Sequence, residues 1–202
     1  MNKRLMGSIA AGALAALLAV PGLAALKQGA TAPDFTATAS LAGKDFTFSL
    51  KQALAKGPVV VYFYPAAYTG GCDLEAHTFA TEKSKFVKAG ATIIGVSADS
   101  IKRLNKFSSD PKYCAGKFPV ASDPHGKIAA KYGLKMIPPQ KGVMDVNHDP
   151  VTHGFFPRTT FVLDQTGKIV AVLSSRADHL RPDQHVTRSL AIVQHMQSNQ
   201  AM

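Results

Sequence analysis

The feature that most restricts the fold is a six-residue apolar run, Val59-Val60-Val61-Tyr62-Phe63-Tyr64, bounded by Pro58 and Pro65. β-Branched and aromatic residues with no polar alternation suit a strand buried on both faces, because a half-solvated strand carries a polar residue at every second place. Such a strand needs a covering layer on each side, which points to an α/β arrangement. After Pro65, Ala66–Gly71 reads as a loop, and from Cys72 the period changes. Ala76, Phe79, Ala80, Lys83, Phe86 and Val87 then fall on one face of a helix that Gly90 ends.

The rest of the chain continues in short alternating elements. Asp45–Leu50 alternates polar and apolar as a half-buried strand does, and Thr92–Val96 reads as a second buried strand. Ser100 caps a helix carrying Ile101, Leu104 and Phe107. Phe118–Val120 is a short extended piece, and Ile128–Tyr132 a short helix closed by Gly133. Lys135–Pro157 is a long connection holding four of the twelve prolines. Within it, Val143–Val146 turns through Asn147–Pro150 back to Val151 as a small hairpin. Thr159–Leu163 and Ile169–Leu173 are strands joined at Asp164-Gln165-Thr166-Gly167. A last helix starts near Pro182 and repeats Val186, Leu190, Val193 and Gln197 at helical spacing. This order predicts a thioredoxin-like α/β fold, a central mixed sheet flanked by helices.

The N-terminus is a separate piece. Lys3 and Arg4 precede an apolar run, Ile9–Val20, then Pro21, Gly22 and the small residues Ala24 and Ala25. That is the layout of a secretory signal peptide over residues 1–25, cleaved after Ala24 or Ala25. The run of about 12 residues is too short to span a bilayer, which takes about 20. A periplasmic or secreted address follows, with no membrane attachment after cleavage and one domain over residues 26–202. Its removal lowers the formal charge from +10 to +8, since Lys3 and Arg4 are its only charged residues. The cations are scattered without a Lys/Arg-rich run or interleaved aromatics, so no nucleic-acid partner is expected. Apolar residues at 46% against 18% charged place the chain among globular rather than disordered proteins.

Chemistry concentrates where the central strand ends. In Pro65-Ala66-Ala67-Tyr68-Thr69-Gly70-Gly71-Cys72 a lone thiol occupies the first turn of the long helix. Free backbone N–H groups and the helix dipole stabilise a thiolate there, which predicts a lowered thiol pKa and an exposed sulfur. Thr69, three residues earlier, is close enough to hydrogen-bond the sulfur or a bound oxygen. The second cysteine, Cys114, is the only other thiol. In an oxidising compartment the pair reads as a static disulfide or a redox pair.

The spacing Pro65-x-x-x-Thr69-x-x-Cys72 closely resembles the peroxiredoxin active-site signature. The surrounding Phe63-Tyr64-Pro65, Gly71-Cys72 and Glu75 resemble its bacterioferritin-comigratory, or peroxiredoxin Q, branch. The likeness covers roughly Ala32–Leu173. It includes Ala32-Pro33-Asp34-Phe35, Gly95-Val96-Ser97-Ala98-Asp99-Ser100, Ser122-Asp123-Pro124 and Pro157-Arg158-Thr159-Thr160-Phe161-Val162-Leu163-Asp164. The resemblance implies a thiol peroxidase that reduces hydrogen peroxide and small organic hydroperoxides through a Cys72 sulfenic acid. It further implies that Arg158 holds the thiolate and polarises the O–O bond, a role that suits a guanidinium's planar donors. Pro65 would shield the sulfur.

Many members of the branch place a resolving cysteine five residues after the first; here that residue is His77. Others place it in the following helix, and Cys114 lies just past Ile101–Phe107, so the resemblance makes it the resolving thiol of an intramolecular disulfide. A structural disulfide and a buried bystander thiol remain open for Cys114. His77 reads as a solvent-facing helix residue. His148 and His153 lie five apart across a turn without the companions of a recognised metal spacing, so neither metal nor cofactor is assigned. Met136, Met144 and Met196 read as filler, and Asp99 and Glu75 as single acids.

The expected partners are a peroxide and a thioredoxin-like or other thiol reductant, with the chain a monomer or weak dimer. Two rival classes share the fold. A thiol–disulfide oxidoreductase needs Cys-x-x-Cys, but the residue three after Cys72 is Glu75. A copper chaperone needs a second cysteine beside Cys72 and a distant histidine.

Overall fold

The computed structural model describes residues 25–200, and the expected leader, residues 1–25, lies outside them but for Ala25. Ala25 packs against the apolar core, and the Leu26 N–H donates to the Tyr132 carbonyl at 3.1 Å. Among the described residues no helix is long and apolar enough to cross a membrane.

The Val59–Phe63 run forms β3 and is buried at every position. The other strands are β1 (Thr36–Leu41), β2 (Lys44–Ser49), β4 (Thr92–Ser97), β5 (Val120–Ser122), β6 (Thr159–Leu163) and β7 (Ile169–Ser174). They make one sheet in the order β2-β1-β5-β4-β3-β6-β7. β3–β4 and β4–β5 are parallel and the remaining pairs antiparallel, so the sheet is mixed, as expected. β3 alternates between two apolar layers: Val59, Val61 and Phe63 enter one, Val60 and Tyr62 the other. The first layer is covered by α1 (Leu50–Leu54) and α4 (Lys127–Lys131). The second is covered by α2 (Gly70–Lys88), α3 (Ile101–Ser109) and α5 (Pro182–Gln200).

Several local expectations hold. The Ser100 hydroxyl accepts from the Arg103 N–H and caps α3. At the start of α4, in a contact that the sequence does not announce, the Asp123 carboxylate accepts from the Ile128 and Ala129 N–H groups at 2.9 Å each. The long connection closes on itself as a small hairpin, with Val151 N donating to Val143 O at 3.0 Å and a bridge between Met144 and Pro150.

Other elements differ from the sequence reading. β1 escapes it because its buried residues are Ala37, Ala39 and Ser40, too small to mark a period. The β1–β2 turn uses Ala42 and Gly43, both at positive φ, and an alanine at such a place is not a recognised hairpin signal. Leu50 opens α1 rather than ending a strand, since Ser49 turns to cap the helix by accepting from Gln52 N. β2 is an edge strand that leaves Phe46 exposed. Val87 is 58% exposed, because the apolar face of α2 ends at Phe86.

Candidate active site

β3 ends at Phe63, and Thr159 stands opposite it across the β3–β6 ladder. That register brings Arg158 to the loop that begins at Pro65. The loop residues Ala66, Ala67 and Tyr68 are buried, and Tyr68 has a left-handed φ of 60°, a conformation that a bulky side chain adopts only when its surroundings hold it. The Tyr68 ring sets that backbone, packing edge-on against Phe107 and Tyr113 with the Arg103 guanidinium over its face.

α2 begins immediately after Thr69, whose carbonyl accepts from Cys72 N at 2.7 Å and Asp73 N at 2.9 Å. The Thr69 hydroxyl donates to the Ala66 carbonyl at 2.8 Å. Arg158 Nη2 donates to Cys72 Sγ at 3.2 Å, and its Nη1 donates to Glu75 Oε2 in a buried ion pair. One guanidinium therefore bridges the sulfur and a carboxylate one helical turn further on. Gly71 leaves room for it, because a Cβ there would lie 3.2 Å from Arg158 Nη2 and 3.3 Å from Pro182 Cγ.

Two expectations about the thiol are corrected. Cys72 is 2% exposed rather than exposed, since the first turn of α2 is seated in the apolar layer with Tyr62, Tyr64 and Phe79. Burial pushes its thiol up from the ordinary value. Arg158, the Thr69 hydroxyl and the Ala66 backbone pull it back down, and Glu75 opposes them. The net direction is up, opposite to the lowering expected from the sequence. Of the groups that favour the ionised sulfur, the Arg158 cation has the largest effect. Arg158 is held charged by Glu75 and Cys72, while burial pushes Glu75 up to about 7 against the pull of Arg158.

Cys114 lies in the turn after α3, fully buried in the same apolar layer as Cys72, and both thiols are free. Tyr62 and Tyr64 lie near both sulfurs. Burial first, then Asp73 and Asp110, push the Cys114 thiol well up. Asp73 is 8% exposed and is itself pushed up to about 7 by burial. His77 is exposed, as expected, and its Nδ1 donates to Lys112 O at 3.0 Å, tying α2 to the Cys114 turn.

Three groups gain in the fold a place that their sequence positions do not announce. Glu75 is the counter-anion of Arg158, and its position on the same helix face as Cys72 could have suggested it. Asp99, read as a lone acid, is fully buried and binds the active-site loop through Ala67 N at 2.8 Å. His185 is buried on α5 between Thr160 Oγ1 and the Ser175 hydroxyl, each at 2.9 Å, and burial with nearby Arg158 lowers it to about 4, so it stays neutral. Nothing in its sequence spacing marks it. Of the two histidines weighed as metal ligands, His148 sits at a turn with φ 63° and His153 pairs with Asp99 at 2.9 Å. Among the described residues no three His, Cys, Asp or Glu side chains gather as a metal site would require.

A reduced cysteine at a helix start, bound by an arginine from a neighbouring strand of a thioredoxin-like sheet, defines a thiol-dependent peroxidase, an oxidoreductase. The family model described as AhpC/TSA matches residues 28–172, and the chain belongs to that family. The chloroplastic peroxiredoxin Q of Populus jackii is 33% identical over 172 residues, covering 85% of this chain and 70% of its own. Peroxidoxin BcpB of Mycobacterium tuberculosis superposes with a TM-score of 0.68 at 29% identity, covering 84% of this chain and 97% of that one. The bacterioferritin comigratory protein of Xanthomonas campestris, solved in connection with its alkyl peroxide reduction activity, superposes with a TM-score of 0.60 at 27% identity, over 79% and 91% of the two chains.

Proposed function

We propose that Cys72 is the peroxidatic nucleophile and that hydrogen peroxide and small organic hydroperoxides are the substrates. The observation that carries this reading is the 3.2 Å contact between Arg158 Nη2 and Cys72 Sγ. The thiolate attacks the terminal peroxide oxygen and the O–O bond breaks. Cys72 becomes a sulfenic acid, and the remaining oxygen leaves as water or alcohol after taking a proton. Arg158 lies where it can hold both the thiolate and the charge that develops on the departing oxygen. Thr69 orients the bound oxygen, and Pro65, half-buried at the loop's start, limits solvent access.

Cys114 is the proposed resolving thiol. Its thiolate displaces hydroxide from the sulfenic acid, which leaves as water and closes a Cys72–Cys114 disulfide. A disulfide needs Cα atoms within about 7 Å, and both sulfurs are buried and free, so the scheme includes a loosening of the first turn of α2 that lets them meet. A thioredoxin-like or other dithiol then returns both cysteines to thiols and is itself oxidised. The domain from residue 26, acting as a monomer or weak dimer, would do this in the periplasm or outside the cell, given the N-terminal leader pattern.

Mass spectrometry of the reduced protein after one equivalent of hydrogen peroxide tests the scheme. Wild type is expected to form the Cys72–Cys114 disulfide, and Cys114→Ser to stop at a Cys72 sulfenic or sulfinic acid. Oxidation of Cys72 no faster than that of a free cysteine would overturn it.

A further inference from the structure

The loop before Cys72 is bound at almost every peptide. Ala66 O accepts from the Thr69 hydroxyl, and Ala67 N donates to Asp99 Oδ2 at 2.8 Å. Ala67 O accepts from Arg103 Nη2 at 2.9 Å, and Tyr68 O from Val146 N at 2.8 Å. The second and third of these bonds depend on one buried network. Its centre is Asp99, whose carboxylate is fully buried; Oδ2 also accepts from Ser97 Oγ at 2.7 Å. On the other oxygen, Oδ1, two cations converge. Arg103 Nε lies at 3.0 Å but off the line of a hydrogen bond, so the aligned donor is His153 Nε2 at 2.9 Å. Arg103 is shared with a second buried carboxylate, Asp145, at 2.7 Å, whereas among the described residues His153 pairs with no carboxylate but Asp99.

The other ring nitrogen of His153, Nδ1, faces the Gly154 carbonyl at 2.8 Å. A carbonyl and a carboxylate only accept, so both ring nitrogens must carry a proton for both bonds to exist. Only the imidazolium satisfies the site; the neutral ring loses one of the two bonds.

We propose that His153 is a positioning residue for the peroxide reaction: as an imidazolium it holds Asp99, and through Asp99 the Ala66–Thr69 loop, in the conformation that presents Cys72 to Arg158. The chain of contacts is His153, Asp99, the Ala67 peptide, the left-handed Tyr68 and then the first turn of α2. Among the described residues, the other hydrogen-bonded links from the long connection to the active-site loop run from Asp145 through Arg103 and from Val146 N to Tyr68 O. His153 is one-fifth exposed and lines a cavity of about 470 Å³, so it titrates against solvent. The charged and titratable groups facing it are Asp99 beside it, Arg103, Lys102 and Lys106 from α3, Tyr68 from the loop, and Asp149 and the Arg103-bound Asp145 from the connection. Burial lowers its pKa, but the hydrogen bond and charge of Asp99 outweigh that and raise it above the ordinary histidine value.

The proposal rests on Cys72 being the reactive thiol, and its test separates the two readings. Rates of Cys72 oxidation by hydrogen peroxide and of Cys72 alkylation by iodoacetamide are measured on wild type and His153→Gln from about pH 5 to 9, with each product assigned by mass spectrometry. Misplacing a reacting group by about 1 Å costs up to ~10²-fold. The wild-type to variant ratio for oxidation is therefore expected near tenfold at the acidic end, closing towards one as His153 loses its proton. A ratio of one throughout, or a constant ratio at every pH, overturns the proposal, since a merely structural role carries no such titration. Histidine ¹⁵N spectra of the wild type supply an independent check. Both His153 nitrogens must be protonated at pH 6 and titrate over the range in which the ratio closes, and a neutral ring at pH 6 overturns the proposal without any variant. If wild-type oxidation is no faster than that of a free cysteine, the peroxidase reading fails, and the alkylation ratio still tests the clamp.

Discussion

The two cysteines make an informative pair of sites. Both are buried in the same apolar layer, both lie near Tyr62 and Tyr64, and burial pushes both thiols up. They differ in the sign of what surrounds them. Cys72 faces the Arg158 guanidinium at 3.2 Å, whereas Cys114 faces Asp73 and Asp110, which push it further up. Their environments teach that in a dry layer the nearest charge, not burial, decides which sulfur ionises first. In the proposed scheme the first thiol is the one that meets the peroxide and the second the one that resolves it. That division of labour suits a reaction in which one sulfur must react before the other.

Removing the cation should give the largest effect. Arg158→Met is expected to slow Cys72 oxidation by about 10²–10³-fold, as losing a group that stabilises developing charge does. It also leaves Glu75 buried without a counter-ion, so the carboxyl should take up a proton. Quenched-flow oxidation of the variant checks the rate. A loss below tenfold would mean that the two thiols are not distinguished by Arg158.

Glu75→Gln comes next. The variant frees the far end of the guanidinium but removes an anion that raises the Cys72 pKa. Peroxide oxidation should fall about tenfold from lost orientation, while the alkylation profile of Cys72 moves to lower pH. Rate and titration moving together would show that Glu75 acts by charge alone.

Asp73→Asn addresses the other side of the comparison. Asp73 titrates at about 7 in the fold, above its ordinary 3.8, so the folded state holds a proton that the unfolded chain has released between those values. Stability must then fall as pH rises through that window. The Asn variant should flatten the fall by an amount on the order of 1 kcal/mol, or about 2–4 °C in Tm between pH 5 and 8. The Cys114 thiol, relieved of a neighbouring anion, should ionise at lower pH. Thermal melts and Cys114 alkylation after denaturant-assisted opening measure the two effects.

The smallest effect is expected at His77. Its bond to Lys112 O ties α2 to the Cys114 turn, and a hydrogen bond at an exposed site contributes about 0.5–1.5 kcal/mol. His77→Ala should leave sulfenic acid formation unchanged and speed closure of the disulfide about twofold. No change in closure would mean that the turn is held by packing around Cys114 instead.

Much of the frame is readable from the residues. Val59–Phe63 has no polar place in it, so the strand could only be central, and the change of period after Gly71 places Cys72 at a helix start. Large apolar residues at regular spacing carry this information. Where the buried residues are small, as in Thr36–Leu41, or the helix is a single turn, as in Leu50–Leu54, no period exists to read. Arg158 was legible only through family resemblance, since an arginine before a strand is ordinary in itself. Asp99, Glu75 and His153 looked like isolated polar residues. Their partners lie 32, 83 and 54 positions away in the chain, at Ala67, Arg158 and Asp99.

By itself, then, the sequence determined the layering of the fold and the seat of Cys72 at a helix start, because these follow from local periodicity and from where a strand hands over to a helix. Tertiary structure alone decided that the sulfur is buried, that its pKa depends on a guanidinium braced by Glu75, that Cys114 sits among acids, and that a histidine on a distant connection reaches the loop. Those properties are set by which charges meet in a low-dielectric interior. Such meetings arise from strand register and packing between residues far apart in the chain.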